Sequence, residues 1–346
     1  YINGEGDILI QDKKDSLKYS INKKNDILDF KTSLKIDDNP LIIEPLNYEK
    51  NKALIQLEGS KNKKNEIYIK DFLIDEKENQ IRVKNVILNQ KLEIVKLGSV
   101  FLNYIDKEDQ KNQITFYPMK NRYVLKGSSF NVNNLIDDLL FDDKKSNFIN
   151  IDTRIEVSID KIFLDNEYDL FKFNGDIFFK NKEIVKADLN GSFPKNKKLN
   201  FTINTNNNNK ITTLYIDKAE PIVKRYKFIK GFDNGTLDFY SSKKFNESTS
   251  TLKIYDFNLK ELPVLTKILT LASLQGIADI LSGEGIGFDE FEMNFKSKKD
   301  GMIIDEIYAI GPAISILMDG YTENDKLISL RGTLVPATTL NKFIGS

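Results

Sequence analysis

The chain contains no cysteine and no histidine in 346 residues. Without cysteine there is no thiol nucleophile. Without histidine there is no imidazole general base and no Ser/His/Asp triad. Together the two absences exclude every Cys/His zinc site, so a bound metal would need oxygen ligands alone. A chain free of cysteine suits a reducing and an oxidising compartment equally, so this feature does not locate the protein. Net charge is missing as well. Lys plus Arg number 51, and so do Asp plus Glu. That balance gives nucleic acid no overall electrostatic footing, and no nucleic-acid partner is expected.

Long apolar runs are also scarce. The nearest approach to a membrane span is Leu262 to Ala278, which carries Pro263 near its start and Lys267 inside. It falls short of the roughly 20 apolar residues that a span needs. It reads as an amphipathic helix, over about 261–281, that buries its apolar face or caps a groove. Leu262, Leu265, Ile268, Leu269 and Ala272 would form that face. The chain opens on Tyr1, with no visible signal peptide, as a fragment or processed product would.

What the chain has in quantity is Ile, Leu, Phe, Asn and Lys, with 23 Phe among them. The apolar residues recur with period two, the mark of strands with one greasy and one wet face. Ala53, Ile55 and Leu57 alternate in this way. So do Ile155, Val157 and Ile159, with Glu156 and Ser158 between them. Phe201 with Ile203, Leu237 with Phe239, Leu252 with Ile254, and Phe291 with Met293 and Phe295 repeat the pattern. Between the strands lie short polar breaks at Lys23 to Asp26, Lys61 to Asn65 and Asn206 to Lys210. Asp233-Asn234-Gly235 reads as a hairpin turn, because Asn-Gly tolerates positive φ. Val132 to Phe141 is a short amphipathic helix candidate. The fold class is therefore mainly β, a long twisted antiparallel sheet. A sheet this long must curl or split into layers. Alternation alone does not separate a sandwich from a curved sheet with a concave apolar channel, since both turn the greasy face inward.

No motif carries catalysis. Gly283-Glu284-Gly285-Ile286-Gly287 has the glycines of a phosphate loop but the wrong order. Helix, glycines, strand is a helix C-cap and strand entry, whereas phosphate loops precede a helix N-terminus. The acidic pairs Asp137-Asp138, Asp142-Asp143 and Asp289-Glu290 fall where turns are expected and read as solvated acids. Asp233 lacks the further oxygen ligands at fixed spacing that calcium needs. No catalytic residue, metal site or cofactor is assigned.

The C-terminal portion carries an ordered series of motifs. It begins with Gly231-Phe232-Asp233-Asn234-Gly235-Thr236-Leu237 and continues through Ile254-Tyr255-Asp256-Phe257-Asn258-Leu259 and Pro263-Val264-Leu265. Leu271-Ala272-Ser273-Leu274-Gln275-Gly276-Ile277-Ala278-Asp279-Ile280 follows, then Gly283-Glu284-Gly285-Ile286, Gly311-Pro312-Ala313-Ile314 and Gly332-Thr333-Leu334-Val335-Pro336-Ala337. In this order the motifs resemble the C-terminal domain of AsmA-like envelope proteins, within the bridge-like lipid transport proteins. Residues 1–230 match in strand rhythm alone and would form the first part of the same β-groove, with 231–346 as the AsmA-like region. The resemblance implies a periplasmic sheet folded into a hydrophobic groove, attached to the inner membrane by a segment outside this chain. It also implies non-enzymatic phospholipid movement between inner and outer membranes, with acyl chains and the two membranes as partners. The groove positions would be the inward-facing Ile155, Val157, Ile159, Phe201, Ile203, Leu237, Phe239, Phe291, Met293 and Phe295. Each of them is equally readable as a plain core residue. Two other classes stay open: a scaffold that recruits envelope proteins through exposed strand edges, and a hydrolase built on converging carboxylates.

Overall fold

The computed structural model describes residues 1–10, 13–136, 152–181, 183–225, 231–260, 285–298, 301–323 and 327–336. The chain is mainly β, as its alternation predicts, and forms two compact units, Tyr1–Gly191 and Ser192–Ser346. The boundary expected after residue 230 falls inside the second of these.

The first unit contains β1 (Ile2–Ile10), β2 (Lys13–Lys24), β3 (Ile27–Ile36), β4 (Leu41–Ile43), β5 (Tyr48–Lys50), β6 (Ala53–Lys61) and β7 (Ile67–Glu76). It continues with β8 (Asn79–Leu88), β9 (Ile94–Lys96), β10 (Ser99–Ile105), β11 (Lys111–Met119), β12 (Arg122–Asn131), β13 (Thr153–Phe163) and β14 (Asp169–Lys180). Strand β15 (Glu183–Phe193) carries the boundary. The ladder runs β1-β2-β3-β6-β7-β8-β10-β11-β12-β13-β14, while β9 continues along β8 beside β10. Strands β4 and β5 form a separate small hairpin.

Among the described residues one pairing departs from the expected antiparallel order. Strands β12 and β13 are parallel, with Leu125 opposite Val157 and Gly127 opposite Ile159. A hairpin cannot join parallel neighbours, because the chain must return to its starting end. The long segment between Asn131 and Thr153 supplies that length. It includes the helix candidate from Val132 to Phe141, of which residues 137–141 lie outside the described residues.

The second unit is a simple meander. Strands β16 (Lys197–Asn206), β17 (Asn209–Ile216), β18 (Phe232–Lys244), β19 (Glu247–Leu259), β20 (Ile286–Lys298), β21 (Gly301–Ile310), β22 (Ile314–Glu323) and β23 (Leu327–Pro336) follow in order. Each is antiparallel to the next. One short helix, α1 (Glu220–Arg225), precedes β18. The expected capping helix over 261–281, with Leu262, Leu265, Ile268, Leu269 and Ala272, lies outside the described residues.

Turn chemistry explains the hairpins. Asn25 and Asp26 join β2 to β3, and Asn207 and Asn208 join β16 to β17. All four have positive φ, between 49° and 61°. Two consecutive left-handed residues make the turn whose twist matches the strands it joins, and Asn and Asp tolerate that conformation best. A second device recurs three times, at Asn62, Asn89 and Asp106. In each case the side-chain Oδ1 accepts N–H bonds from the residues two and four further on. A positive-φ residue, Asn65, Leu92 or Asp109, closes each loop. The repeat is one of turn geometry rather than of sequence.

Two expectations need correction. Asn234-Gly235 is not a hairpin turn but lies inside β18, with Asn234 opposite Phe257 and Thr236 opposite Tyr255. Both residues still take positive φ, 66° and 85°. The Asn234 N–H donates to Glu220 Oε1 at 2.8 Å, and the Gly235 carbonyl accepts from Ala219 N–H at 2.9 Å. The left-handed pair therefore bends a strand against the residues that lead into α1. Asp289 and Glu290 likewise sit within β20 and not in a turn.

Buried polar groups tie strand ends together in the first unit. Asp15 is 2% exposed. Its Oδ1 accepts from Asp37 N–H (2.8 Å) and Asp38 N–H (3.1 Å), and its Oδ2 accepts from Asn39 Nδ2 (2.6 Å). A second knot joins Asp106, Asn112 and Asn131. Both amides donate to Asp106 Oδ2, and Asn131 N–H donates to Asn112 Oδ1 at 2.7 Å. Beside it, Tyr48 packs edge-on against Tyr104, whose hydroxyl donates to the Leu46 carbonyl. Burial and the nearby Glu76 charge push the Tyr48 phenol up to about 12.

Burial alone would raise the Asp15 carboxyl, but the bonds from Asp37, Asn39 and Asp38 outweigh it and hold it below the ordinary value. A carboxylate lowered in the folded state stabilises fully above its unfolded pKa, and loses that contribution as pH falls through the folded one. Asp15→Asn should therefore cost about 2–3 kcal/mol at neutral pH, with the gap to wild type narrowing below about pH 4. Urea denaturation of both proteins across that range reads the difference directly.

Candidate functional site

Residues directly opposite one another across a ladder share a face. Register therefore assembles the strand alternation into rows that cross the sheet. In the first unit one row runs Leu17–Leu34–Ile55–Ile74–Ile81–Leu102–Ile114–Gly127–Ile159, from β2 to β13. Next to it lies Leu57–Phe72–Val83–Val100–Phe116–Leu125–Val157. The alternate row, offset by one residue, reads Lys18–Ser33–Gln56–Leu73–Arg82–Phe101–Thr115–Lys126–Ser158 and is mostly polar.

The second unit repeats the arrangement. One row is Leu199–Ile216–Leu237–Ile254–Phe291–Ala309–Ile316–Leu334, and its neighbour is Phe201–Leu214–Phe239–Leu252–Met293–Ile307–Met318. A third is Ile203–Thr212–Ser241–Ser250–Phe295–Ile304. Seven of the ten predicted groove residues fall into these three rows. Ile155, Val157 and Ile159 line the corresponding face of the first unit. The sequence reading missed Leu214, Ile307 and Met318. Each lies in a strand whose alternation is blurred by Thr, Gly or a bulge, so only register reveals them.

Burial sorts the ten positions. Ile155, Val157, Ile159, Phe201, Ile203 and Leu237 are at most 6% exposed and already act as core residues. Phe239, Phe291, Met293 and Phe295 are half-buried and keep apolar surface accessible. The same holds for Leu252, Ile316 and Met318. A fully enclosed side chain has no contact left to offer a ligand, whereas these side chains do.

The opposite face of the second unit is held by polar cross-strand contacts. Thr202 and Thr213 hydroxyls lie 2.7 Å apart, and Thr251 Oγ1 donates to Asn294 Oδ1 at 2.7 Å. The Glu292 carboxylate accepts from Lys253 Nζ (2.7 Å), Asn294 Nδ2 (2.8 Å) and Tyr308 OH (3.1 Å). Those bonds, from Lys253 first, hold its carboxyl below the ordinary range. Tyr308 OH also reaches Glu290, and burial with the two carboxylates pushes the phenol up. This is the closest convergence of acids at the sequence-predicted pair. It is a hydrogen-bonded network that ties β19, β20 and β21 together. A cleft of about 800 Å³ lies between the tips of β16–β17 and β18–β19, lined by Asn206, Asn209, Lys244 and Glu247 among others. It is open, and Ile211 and Phe245 stand in its lining beside the polar residues. Among the described residues no group of three or more acidic side chains is placed to hold a metal.

Comparison with protein-family models, with curated proteins and with solved structures returned no match.

The division between enclosed and accessible apolar residues has a stability consequence. Leu237→Ala should cost about 2–5 kcal/mol, because it opens a cavity among fixed neighbours. Met293→Ala, with surface already accessible, should cost less than about 1.5 kcal/mol. Chemical denaturation of the two variants checks the contrast.

Proposed function

We propose that this chain is a non-enzymatic carrier of phospholipid between the inner and outer membranes of a Gram-negative-type envelope. In this reading it belongs to the AsmA-like group of bridge-like lipid transport proteins. It works in the periplasm, on an inner-membrane anchor supplied by a segment outside the described chain, with its strands curled so that the apolar face forms a groove. The observation that carries the reading is the apolar row that passes unbroken from strand to strand in each unit, opposite a polar face.

The physics of lipid movement makes such a surface useful. A two-chain lipid hides on the order of 30 CH2 groups at about 0.8 kcal/mol each, so passage through water costs above roughly 20 kcal/mol. A continuous apolar lane removes most of that cost without bond chemistry. The half-buried Phe239, Leu252, Phe291, Met293 and Phe295 offer acyl chains a place to lie. The lack of histidine and cysteine fits cargo that is moved unaltered.

A second reading rests on a different observation. Strand β23 pairs with β22 along all ten of its residues, and its other edge has no partner among the described residues. Leu327, Ile328 and Leu330 on it are exposed, Ile328 by 70%. An apolar edge of this kind accepts an added strand, which suits a scaffold that recruits envelope proteins.

Native mass spectrometry of the purified chain, followed by lipid extraction, separates the two readings. The carrier should bring phospholipid with it, and Phe291→Asp should lose the lipid while keeping the wild-type circular dichroism spectrum. A lipid-free, monodisperse wild-type protein would overturn the carrier reading in favour of the scaffold. Should Phe291→Asp unfold, that position belongs to the core, and Phe295→Asp carries the same test.

A further inference from the structure

The strands of the first unit end in two rims, and the two rims differ in charge. At one of them register brings together the β2–β3 turn, the β6–β7 turn and the loop through β9. Lys24 stands opposite Ile27, Leu28 opposite Lys61, and Ile67 opposite both Lys61 and Leu88. Gln90 Nε2 donates to the Lys64 carbonyl at 2.9 Å, which ties two of these turns together. Tyr123 OH donates to the Leu97 carbonyl at 2.8 Å and brings the β11–β12 turn alongside. Lys24, Lys61, Lys64, Lys91, Lys96 and Lys120 are all exposed at this rim. The acids beside them are engaged locally: Asp26 pairs with Lys63, and Glu66 and Glu93 accept from the side-chain amides of Asn62 and Asn89. At the opposite ends of the same strands the turns carry Asp38, Glu78, Glu108, Asp109 and Asp165, with Lys77 and Lys107 among them.

Solubility accounts for lysines at turns. It does not account for the apolar side chains set among them. Ile27, Leu92, Val95 and Met119 lie at the basic rim and are 46%, 65%, 50% and 49% exposed. Leu92 can be compared with its counterparts in two other turns of the same geometry. In the turns that begin at Asn62, Asn89 and Asp106, the fourth residue donates its N–H to the carbonyl of the first. Its φ is 59°, 61° and 60° in turn. The first turn places Asn65 there and the third Asp109, side chains that tolerate the left-handed region. The second places Leu92, a bulky apolar residue for which that backbone is unfavourable. Its side chain is mostly in water, so packing within the protein does not offset the strain. A strained and exposed leucine at a turn tip points to a role outside the fold.

We propose that this basic rim docks on the surface of an anionic lipid bilayer, with Leu92 and its apolar neighbours at the headgroup–acyl boundary and the lysines against the lipid phosphates. The inference stands apart from the carrier reading, because it needs an intact bilayer and no lipid held by the protein. Charge complementarity selects the occupant: exposed lysines are drawn to an anionic leaflet, and apolar tips between them gain by entering it. A nucleic acid would meet the same charge. Ile27, Leu92, Val95 and Met119 carry no ring on which a base could stack, so the bilayer is the better fit. The acidic rim does not oppose docking. Strands β7 and β8 have ten residues each, which places that rim roughly 30 Å from the surface, well beyond the screening length of about 8 Å.

The test is co-sedimentation of the purified chain with vesicles of phosphatidylcholine alone and of phosphatidylcholine mixed with phosphatidylglycerol. Wild type should sediment with the mixed vesicles, stay in solution with the neutral ones, and be released by salt. Leu92→Asn installs the residue type found in the Asn62 turn. Its melting temperature should equal or exceed that of wild type, while its affinity for mixed vesicles falls about fivefold. Lys64→Gln/Lys91→Gln should weaken binding about tenfold, and Lys77→Gln/Lys107→Gln at the acidic rim should leave it unchanged. Should Leu92→Asn fail to fold, Val95→Ser carries the same test. The docking surface is overturned if wild type does not sediment, if both lysine pairs lose binding equally, or if a folded Leu92→Asn keeps full affinity. If polyadenylate binds wild type as tightly as the mixed vesicles do, the rim reads polyanion charge alone and the bilayer assignment fails. Sedimentation with mixed vesicles by a chain that copurifies without lipid keeps the docking surface and removes the carrier reading.

Discussion

Backbone pairing in register, strand after strand, is the constraint on which the rest of this structure depends. A strand exposes alternate side chains on opposite faces, so a shift of one residue would move a whole apolar set to the wet side. The ladders hold their register through long runs, as in the twelve paired positions of β18 and β19. That is why Ile74, Ile81, Leu102 and Ile114 line up from different strands into one row. Hydrophobic burial supplies the driving force, but it is non-directional. The hydrogen-bonded ladder turns it into a surface with two distinct sides.

The strand ends carry a different burden. Each turn must satisfy backbone groups that leave the ladder, and here Asn and Asp do most of that work. They tolerate left-handed conformations at the tight turns and accept N–H bonds in the five-residue loops at Asn62, Asn89 and Asp106. Asp15 and Asp106 show the same chemistry taken inside, where fully bonded carboxylates are tolerated because each oxygen has donors. Polar residues that look like solvating filler along the chain thus hold the register of the strands they join.

The face that could serve a ligand is the same face that supplies the core, and the two roles differ only in enclosure. Leu237 and Ile203 are closed in on every side, whereas Phe239, Met293 and Phe295 are not. A carrier needs both kinds of residue: enclosed ones to keep the sheet folded when empty, and accessible ones to trade contact with water for contact with an acyl chain.

Much of the fold was legible in the chain before any coordinates. Period-two alternation at Ile155–Ile159, Phe201–Ile203 and Phe291–Phe295 marked strands with the correct residues on one side, since that periodicity is local and survives in the folded state. The excluded chemistries followed from composition alone. Asn234-Gly235 shows where local reading stopped: positive φ was correctly expected, but a bent strand and a hairpin ask the same of those two residues, and only the partners Phe257 and Tyr255 distinguish them. The parallel meeting of β12 with β13 was invisible for the same reason, because strand direction is set by which neighbour is paired across a long connection. Sequence by itself determined that the chain is β, that each strand has a greasy and a wet side, and that no thiol or imidazole chemistry occurs. The tertiary structure decided which greasy residues are enclosed and which remain accessible, because those relations exist only between strands distant along the chain.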